Sequence, residues 1–372
     1  ATEEDSRRII AEGNRRVLTA RFYDARFFYA EDRKKGLVAA GERLAGMQWI
    51  RRGGTMADKA DRVATLSEKL APHFGASPSA SRRAGGLCKN DLATQMVGEF
   101  PKLQGHVGNL LARLDGEDET VAQAIEEHYL PRYQGDGLPQ EATGLAVAVA
   151  DRLDTLTGCF GLGLKPKGSA DPLGLRRAAI GLLQLLLHSG VRIQLAELIA
   201  IAVPEGSEDL EGFMLARARA LLGESFAKEL VAAVLETGDR DIVALQGRLV
   251  ALSALAETAE FGPLKTTFKR VMGLTKAHEE AGYDPAVLKE AAEVALHEAL
   301  VAVRDRAQEH SAALRYAEAL AELATLKPAV DRLFDDVMVM VEDLDVRHSR
   351  LSLLRAVADE FRAIADFTQL SA

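Results

Sequence analysis

The feature that most constrains the fold is an apolar spacing of three or four residues near the end of the chain. Six apolar residues fall at i, i+3, i+4, i+7, i+8 and i+11, namely Val330, Leu333, Phe334, Val337, Met338 and Val341. This spacing places all six on one face of an α-helix. A second set follows at Leu351, Leu354, Ala358, Phe361 and Ala365. We therefore predict two consecutive amphipathic helices that pack through these faces.

The rest of the chain has the same helical character. Ala and Leu are abundant and aromatic residues make up only 5% of the sequence, which favours helix over strand. Residues 178–188 are apolar almost all round, so we expect a buried helix there. No stretch of useful length alternates apolar and polar residues as a strand does. The predicted fold class is all-α, with several helical domains.

Two breaks divide the chain. At 372 residues it is too long for one ordinary core. Gly158–Pro172 carries four glycines and two prolines, and Phe261-Gly-Pro interrupts a later helical pattern. Because such residues mark loops between packed segments, we predict three domains, at residues 1–160, 161–258 and 259–372.

Composition limits the classes of partner. The longest apolar runs fall short of the ~18–20 residues that span a bilayer, so no membrane is expected. Cys88 and Cys159 form no CxxC motif, which predicts reduced thiols and a cytoplasmic location. Net charge is −9, yet residues 1–100 hold 18 Lys and Arg against 13 Asp and Glu. Since phosphates are neutralised contact by contact, this basic end is compatible with nucleic-acid binding.

Common catalytic signatures are missing from the sequence. It contains no GxxxxGK[ST] loop, no HExxH and no GxSxG, and its eight histidines are scattered. We therefore expect no catalytic site in this chain.

Several blocks carry a family resemblance. The most specific is KNDLATQMVGEFPKLQG at 89–105, followed by EEHYLPRYQGD at 126–136 and FDDVMVMVEDLDVRHSRLSLL at 334–354. These blocks resemble the β subunit of the bacterial two-subunit glycyl-tRNA synthetase, and the resemblance runs from about Gly13 to Leu370. Local departures include Gly273 and Ser349, where the family usually has Asn.

The resemblance implies an organisation and a function. Residues 1–160 would form an HD-like helical domain with its leading helices, 161–258 an intermediate helical region, and 259–372 an α-helical anticodon-binding domain. The chain looks like the C-terminal half of such a β subunit. Its function would be to bind tRNA(Gly) within an α2β2 heterotetramer. Glycine, ATP and Mg²⁺ would be used by the α subunit, so this chain itself would be non-catalytic and need no cofactor.

The HD resemblance suggests a test of chemistry. An active HD phosphohydrolase binds metal through histidines, a His-Asp pair and a later Asp. Asn90-Asp91 would occupy the pair, and Asp151 or Asp154 the later position. Carboxylates without imidazoles make a poor transition-metal site, so we predict a degenerate HD scaffold without metal. Asp91 and Asp151 would then be structural, capping backbone or pairing with Arg152.

Contacts with tRNA require cations for phosphates and partners for bases. The candidates share positive charge and helical or loop positions: Lys89, Arg132, Arg176, Arg177, Lys265, Lys269, Arg270, Arg347 and Arg350. For each residue, a solvated or internally paired charge is the alternative. Two other functions stay open, an HD-type nucleotide phosphohydrolase and a helical scaffold that binds only protein.

Overall fold

The computed structural model describes residues 9–371, and within that range the chain is built of helices and turns with no β-strand. This confirms the predicted all-α class. The α-helices are α1 (Ile9–Lys35), α2 (Leu37–Gly41), α3 (Met56–Leu70), α4 (Pro78–Leu87), α5 (Gln95–Glu99), α6 (His106–Leu114), α7 (Glu119–Glu127), α8 (Ala142–Gly161), α9 (Leu175–Ser189), α10 (Leu195–Ala202), α11 (Glu208–Leu222), α12 (Lys228–Leu235), α13 (Ile242–Ala256), α14 (Phe261–Leu274), α15 (Ala291–Ala312), α16 (Tyr316–Ala324), α17 (Lys327–Asp336) and α18 (Leu344–Arg362).

The described chain divides into two compact units. The first contains the residues up to Val191 together with Ala196–Met214, and the second contains Arg192–Leu195 and the residues from Leu215 onward. The change from one unit to the other therefore falls inside α11. The three domain ranges expected from the sequence stay a prediction.

Helix α8 is the centre of the first unit. Fifteen of its twenty residues are buried, and most of these are Ala, Val, Leu, Gly or Thr. Small side chains let neighbouring helices approach closely, and α3, α4, α7 and α9 all pack against α8. The predicted buried segment 178–188 lies within α9, where Leu182, Leu183, Leu185 and Leu186 are fully buried.

Three phenylalanines form the core of the second unit. Phe268 of α14 stacks on Phe361 of α18 with ring centroids 3.7 Å apart, and Phe367 packs edge-on against Phe361 at 5.6 Å. All three side chains are fully buried. Leu354 and Ala358 are buried on the same helix as Phe361, which confirms the predicted apolar face for these three residues. Leu351 is only partly buried, and Ala365 is buried but lies beyond the end of α18.

The apolar stripe predicted for residues 330–341 is helical only in its first half. Helix α17 ends at Asp336, and Val337 has extended backbone angles, φ −128° and ψ 124°. Val337 and Val339 are buried, whereas Met338 is 73% exposed and Met340 55% exposed. This alternation is that of an extended segment, which suits the β-branched valines. The prediction of one helix through Val341 is therefore wrong beyond Asp336.

No single helix in residues 9–371 is both long and apolar enough to cross a membrane; α13 and α14 reach that length and apolar content only as a pair bent by 120°.

Cys88 and Cys159 are free, buried thiols. Burial raises the pKa of the Cys88 thiol to about 12. Both cysteines therefore belong to the core of the first unit.

Candidate functional site

The positions predicted from the HD resemblance gather around Lys89, inside the first unit. The Lys89 ammonium lies 2.9 Å from His128 Nε2 and 2.9 Å from Asp151 Oδ2, and only 5% of the residue is exposed. His128 Nδ1 lies 2.7 Å from the carbonyl oxygen of Ile125. Because that carbonyl can only accept, Nδ1 carries the proton and Nε2 accepts from Lys89. Burial and the Lys89 charge lower the pKa of His128 well below its ordinary value, so the imidazole is neutral.

A second lysine completes the arrangement. Lys59 Nζ lies 2.9 Å from Asp151 Oδ1 and 2.9 Å from Asp154 Oδ2. Arg62 Nε approaches Asp154 Oδ1 at 2.6 Å. Burial alone would raise the pKa of Asp151, but Lys59 and Lys89 hold it well below its ordinary range. We call these five residues the interior ion-pair cluster: Lys59, Arg62, Lys89, Asp151 and Asp154.

The interior ion-pair cluster does not fit a metal ion. Lys89 occupies the space between His128 and Asp151, the imidazole and carboxylate that a divalent cation would need. Among residues 9–371, no group of three or more His, Cys, Asp or Glu side chains could hold a metal. Asn90 donates through Nδ2 to the Leu37 carbonyl at 3.3 Å, which ties it to α2. The residues at the positions predicted from the HD resemblance therefore make structural contacts.

Asp91 also has a structural contact, though not the predicted one with Arg152. Its Oδ2 accepts a hydrogen bond from the Gly105 backbone N–H at 2.5 Å. Arg152 instead donates to the carbonyls of His128, Tyr129 and Pro131, at 3.0, 3.2 and 3.0 Å. Asp91 therefore follows the backbone-capping alternative of the prediction, and the close ion-pair partners of Asp151 are Lys59 and Lys89. Arg152 holds the turn that follows α7, because three carbonyls there have no helical partner.

Asp91 makes the stability of the first unit depend on pH. Its carboxyl is fully buried, and burial raises its pKa from 3.8 to about 6 despite the Gly105 N–H. The folded chain therefore keeps a proton that the unfolded chain has released, so stability falls as pH rises through this window. Between pH 4.5 and 7.5 wild type should lose about 2 kcal/mol that Asp91→Asn does not lose. Urea unfolding followed by Trp49 fluorescence measures this difference, and parallel pH curves would contradict it.

The four cations predicted to contact RNA in the first unit have different environments. Lys89 is interior, and an amine held between His128 and Asp151 cannot reach a phosphate on the surface, so it is not retained as a contact. Arg132 is exposed but paired with Asp136 at 2.8 Å. Arg176 donates to the carbonyls of residues 168–170 and so fixes that loop. Arg177 is exposed.

The cations predicted to contact RNA in the second unit also differ in their environments. Lys265 and Lys269 donate to the carbonyls of Ser371 and Leu370, at 2.9 and 2.8 Å. Arg270 is exposed, and its guanidinium lies 3.9 Å from the centroid of the Phe334 ring. Arg347 is partly exposed in the first turn of α18. Among the predicted candidates of this unit, Arg270 and Arg347 are therefore the two that remain as possible phosphate contacts.

Arg350 requires a correction. It is 9% exposed, its Nε lies 2.5 Å from Glu293 Oε1, and its Nη1 donates to the Met338 carbonyl at 2.7 Å. A guanidinium with these partners positions the extended segment after α17 and does not reach solvent phosphates. It is therefore not retained as an RNA contact.

Sequence reasoning missed two features. Met338, Met340 and Leu344 are exposed by 73%, 55% and 64%, which gives the second unit exposed apolar side chains between α17 and the start of α18. The alternation of Val and Met in the sequence was the pattern that could have indicated these exposed side chains. Lys59 was also missed, although it lies among the apolar positions of α3, where an unpaired lysine would be costly.

Comparison with known proteins agrees with this organisation. The family model for the glycyl-tRNA synthetase beta subunit matches residues 1–236, and the model for the DALR anticodon binding domain matches residues 264–370. The second match lies entirely within the second unit.

Individual relatives cover nearly the whole chain. The glycine–tRNA ligase beta subunit of Citrifermentans bemidjiense is 39% identical over 98% of this chain. Those of Neisseria gonorrhoeae and Geobacter metallireducens are 40% identical over 99% and 98%. In each case the match spans 55% of the relative's length, so this chain covers about half of those proteins. The chain belongs to the family of glycyl-tRNA synthetase β subunits.

Proposed function

We propose that this chain binds tRNA(Gly) and supports its glycylation by a separate catalytic subunit. The observation that carries the proposal is the match of residues 264–370 to an anticodon-binding domain, in a unit where Arg270 is exposed and Arg347 partly exposed. Guanidinium groups of this kind can bind phosphate oxygens bidentately. The exposed Met338 and Met340 offer apolar surface against which unpaired bases can pack.

The partner and the location belong to the same proposal. We propose an α subunit as partner in an α2β2 assembly, with ATP and Mg²⁺ acting there, and a cytoplasmic setting. In the part of the chain that the structure describes, the carboxylates of Asp151 and Asp154 are held by ammonium and guanidinium groups. That pairing supports a structural role for this chain's HD positions over phosphohydrolase chemistry, since a hydrolytic metal would have to displace two lysines.

Arginine variants test the proposed surface. Arg270→Ala and Arg347→Ala should each weaken tRNA(Gly) binding by about 3–10-fold, because each removes one cation from the phosphate surface. The slope of log K against log salt should become shallower by about one for each. Arg306→Ala is the matched control, since this exposed arginine is already paired with Glu322 at 2.8 Å.

The measurement is filter binding with unchanged circular dichroism as the check on folding. Unchanged tRNA affinity in the Arg270→Ala, Arg347→Ala double variant would remove this surface from the proposal. An equal loss in Arg306→Ala would show that the effect reflects total charge and not these two positions.

A further inference from the structure

The first unit contains a cavity that none of the predicted RNA contacts uses. Its volume is about 450 Å³, within the range of small-molecule pockets. It opens between α3, the second half of α8 and the end of α10. Its lining combines cationic, acidic, hydroxyl and apolar groups: Asp61, Arg62, Thr65, Leu66, Lys69, Asp154, Thr157, Gly158, Ile201, Ala202 and Val203.

The cations lie along one wall. Arg62 and Lys69 are seven residues apart on α3, so both project from one face about 10 Å apart along the axis. Arg62 binds Asp154 yet keeps 39% of its side chain exposed. Lys69 is exposed, and its amine has only a long 3.5 Å contact with the Ile201 carbonyl. Both can therefore receive an anion at the rim of the cavity.

The remaining lining offers acceptors and an apolar wall. Thr65 and Thr157 donate their hydroxyl protons to the Asp61 and Leu153 carbonyls, at 3.0 and 2.8 Å. Their oxygens are thus left to accept hydrogen bonds, as is the exposed carboxylate of Asp61. Leu66, Ile201 and Val203 supply the apolar part. A ligand that fits has an anion, hydrogen-bond donors and a flat apolar face.

Trp49, the chain's single tryptophan, borders this cavity. A Cβ added to Gly158 would lie 2.7 Å from its Cη2, so the indole packs directly on the cavity wall. The Arg62 guanidinium lies 4.8 Å from the centroid of the indole ring. Any ligand that binds Arg62 therefore changes the environment of Trp49.

We propose that this cavity binds one unpaired nucleotide of tRNA. The phosphate would bind Lys69 and Arg62, the ribose hydroxyls or exocyclic amine would donate to Asp61 and the threonines, and the base would pack on the apolar wall. A base in a duplex could not enter, because its faces are stacked and its edge is paired. The proposal rests on the proposed tRNA-binding function and adds a second contact, in the first unit.

Trp49 fluorescence tests the proposal with the whole chain. Titration with a single-stranded RNA tetranucleotide should change the fluorescence saturably, and duplex RNA of the same composition should not. Lys69→Ala should weaken the tetranucleotide by about 3–10-fold and Lys69→Arg should restore it. Lys102→Ala, an exposed lysine of the same unit outside the lining, is the control and should bind as wild type.

A parallel mobility shift with tRNA(Gly) separates the two proposals. If tRNA binds but the tetranucleotide leaves Trp49 unchanged, or binds Lys69→Ala as tightly as wild type, the cavity proposal is overturned and the proposed function stands. An equal response to duplex RNA also overturns it. If tRNA does not bind but the Lys69-dependent response remains, the cavity binds unpaired nucleotides, but the proposed function fails and with it the assignment of that nucleotide to tRNA. A Trp49 response to tRNA that disappears on trimming the unpaired 3′ nucleotides assigns the nucleotide to that end, and one that persists assigns it to a loop.

Discussion

Asp151→Asn is expected to lower the free energy of unfolding of the first unit by about 3–5 kcal/mol, the usual cost of breaking a buried ion pair from one side. Within residues 9–371, Asp151 is the carboxylate that forms an ion pair with Lys89, and it also binds Lys59. Asn keeps the shape and removes the charge. The Lys89 ammonium, 5% exposed, would then lose its ion pair and keep the neutral His128 and the Tyr129 ring as close contacts.

Chemical unfolding followed by Trp49 fluorescence measures this effect. Lys89→Met in the Asp151→Asn background should recover part of the loss, because it removes the uncompensated charge, and the two substitutions should be non-additive by at least about 1 kcal/mol. Lys102→Met, at an exposed position, should stay within about 0.5 kcal/mol of wild type. A loss below 1 kcal/mol for Asp151→Asn would show that the interior ion-pair cluster does not stabilise the unit.

Arg350→Ala is expected to have a comparable effect on the second unit, again about 3–5 kcal/mol. It leaves Glu293, 3% exposed, without its cation and frees the Met338 carbonyl. Glu293 would keep only the backbone N–H groups of Lys289 and Glu290, at 2.9 and 3.0 Å. Since Arg350 also holds the extended segment after α17, tRNA binding should weaken as well.

Arg347→Ala is the matched control for stability. It lies three residues earlier on the same helix but is partly exposed, so its melting temperature should stay near that of wild type. Arg350→Ala should therefore lower both stability and tRNA affinity, whereas Arg347→Ala should lower affinity alone. Equal stability of the two variants would contradict the structural role given to Arg350.

Helical periodicity was enough to predict the fold class but not every helix end. Leu354, Ala358 and Phe361 are buried together because a spacing of three and four residues determines a helical face. From Val337 onward the sequence fits both a helical period and a strand-like period, because the valines also fall at alternate positions. The tertiary bond from Arg350 to Met338 supports the extended conformation, and no local pattern contains that information.

The sequence predicted which residues lie at the candidate site better than it predicted which side chains they contact. Asn90, Asp91 and Asp151 were singled out, but Lys59, which pairs with Asp151 across 92 positions, was not. A charged residue in a sequence is usually interpreted as solvent-exposed unless apolar residues surround it at helical spacing, as they do around Lys59. For the same reason Lys89 and Arg350 were predicted as surface cations, although each forms an ion pair with a carboxylate inside its unit.

The most direct test of the central claim is the affinity of this chain for tRNA(Gly) as a function of salt. If surface cations such as the exposed Arg270 and the partly exposed Arg347 neutralise phosphates, log K should fall linearly with log salt with a slope of about −2 or steeper. Arg270→Ala, Arg347→Ala should make that slope shallower by about two. No measurable binding at low salt, or an affinity that does not change with salt, would contradict the account.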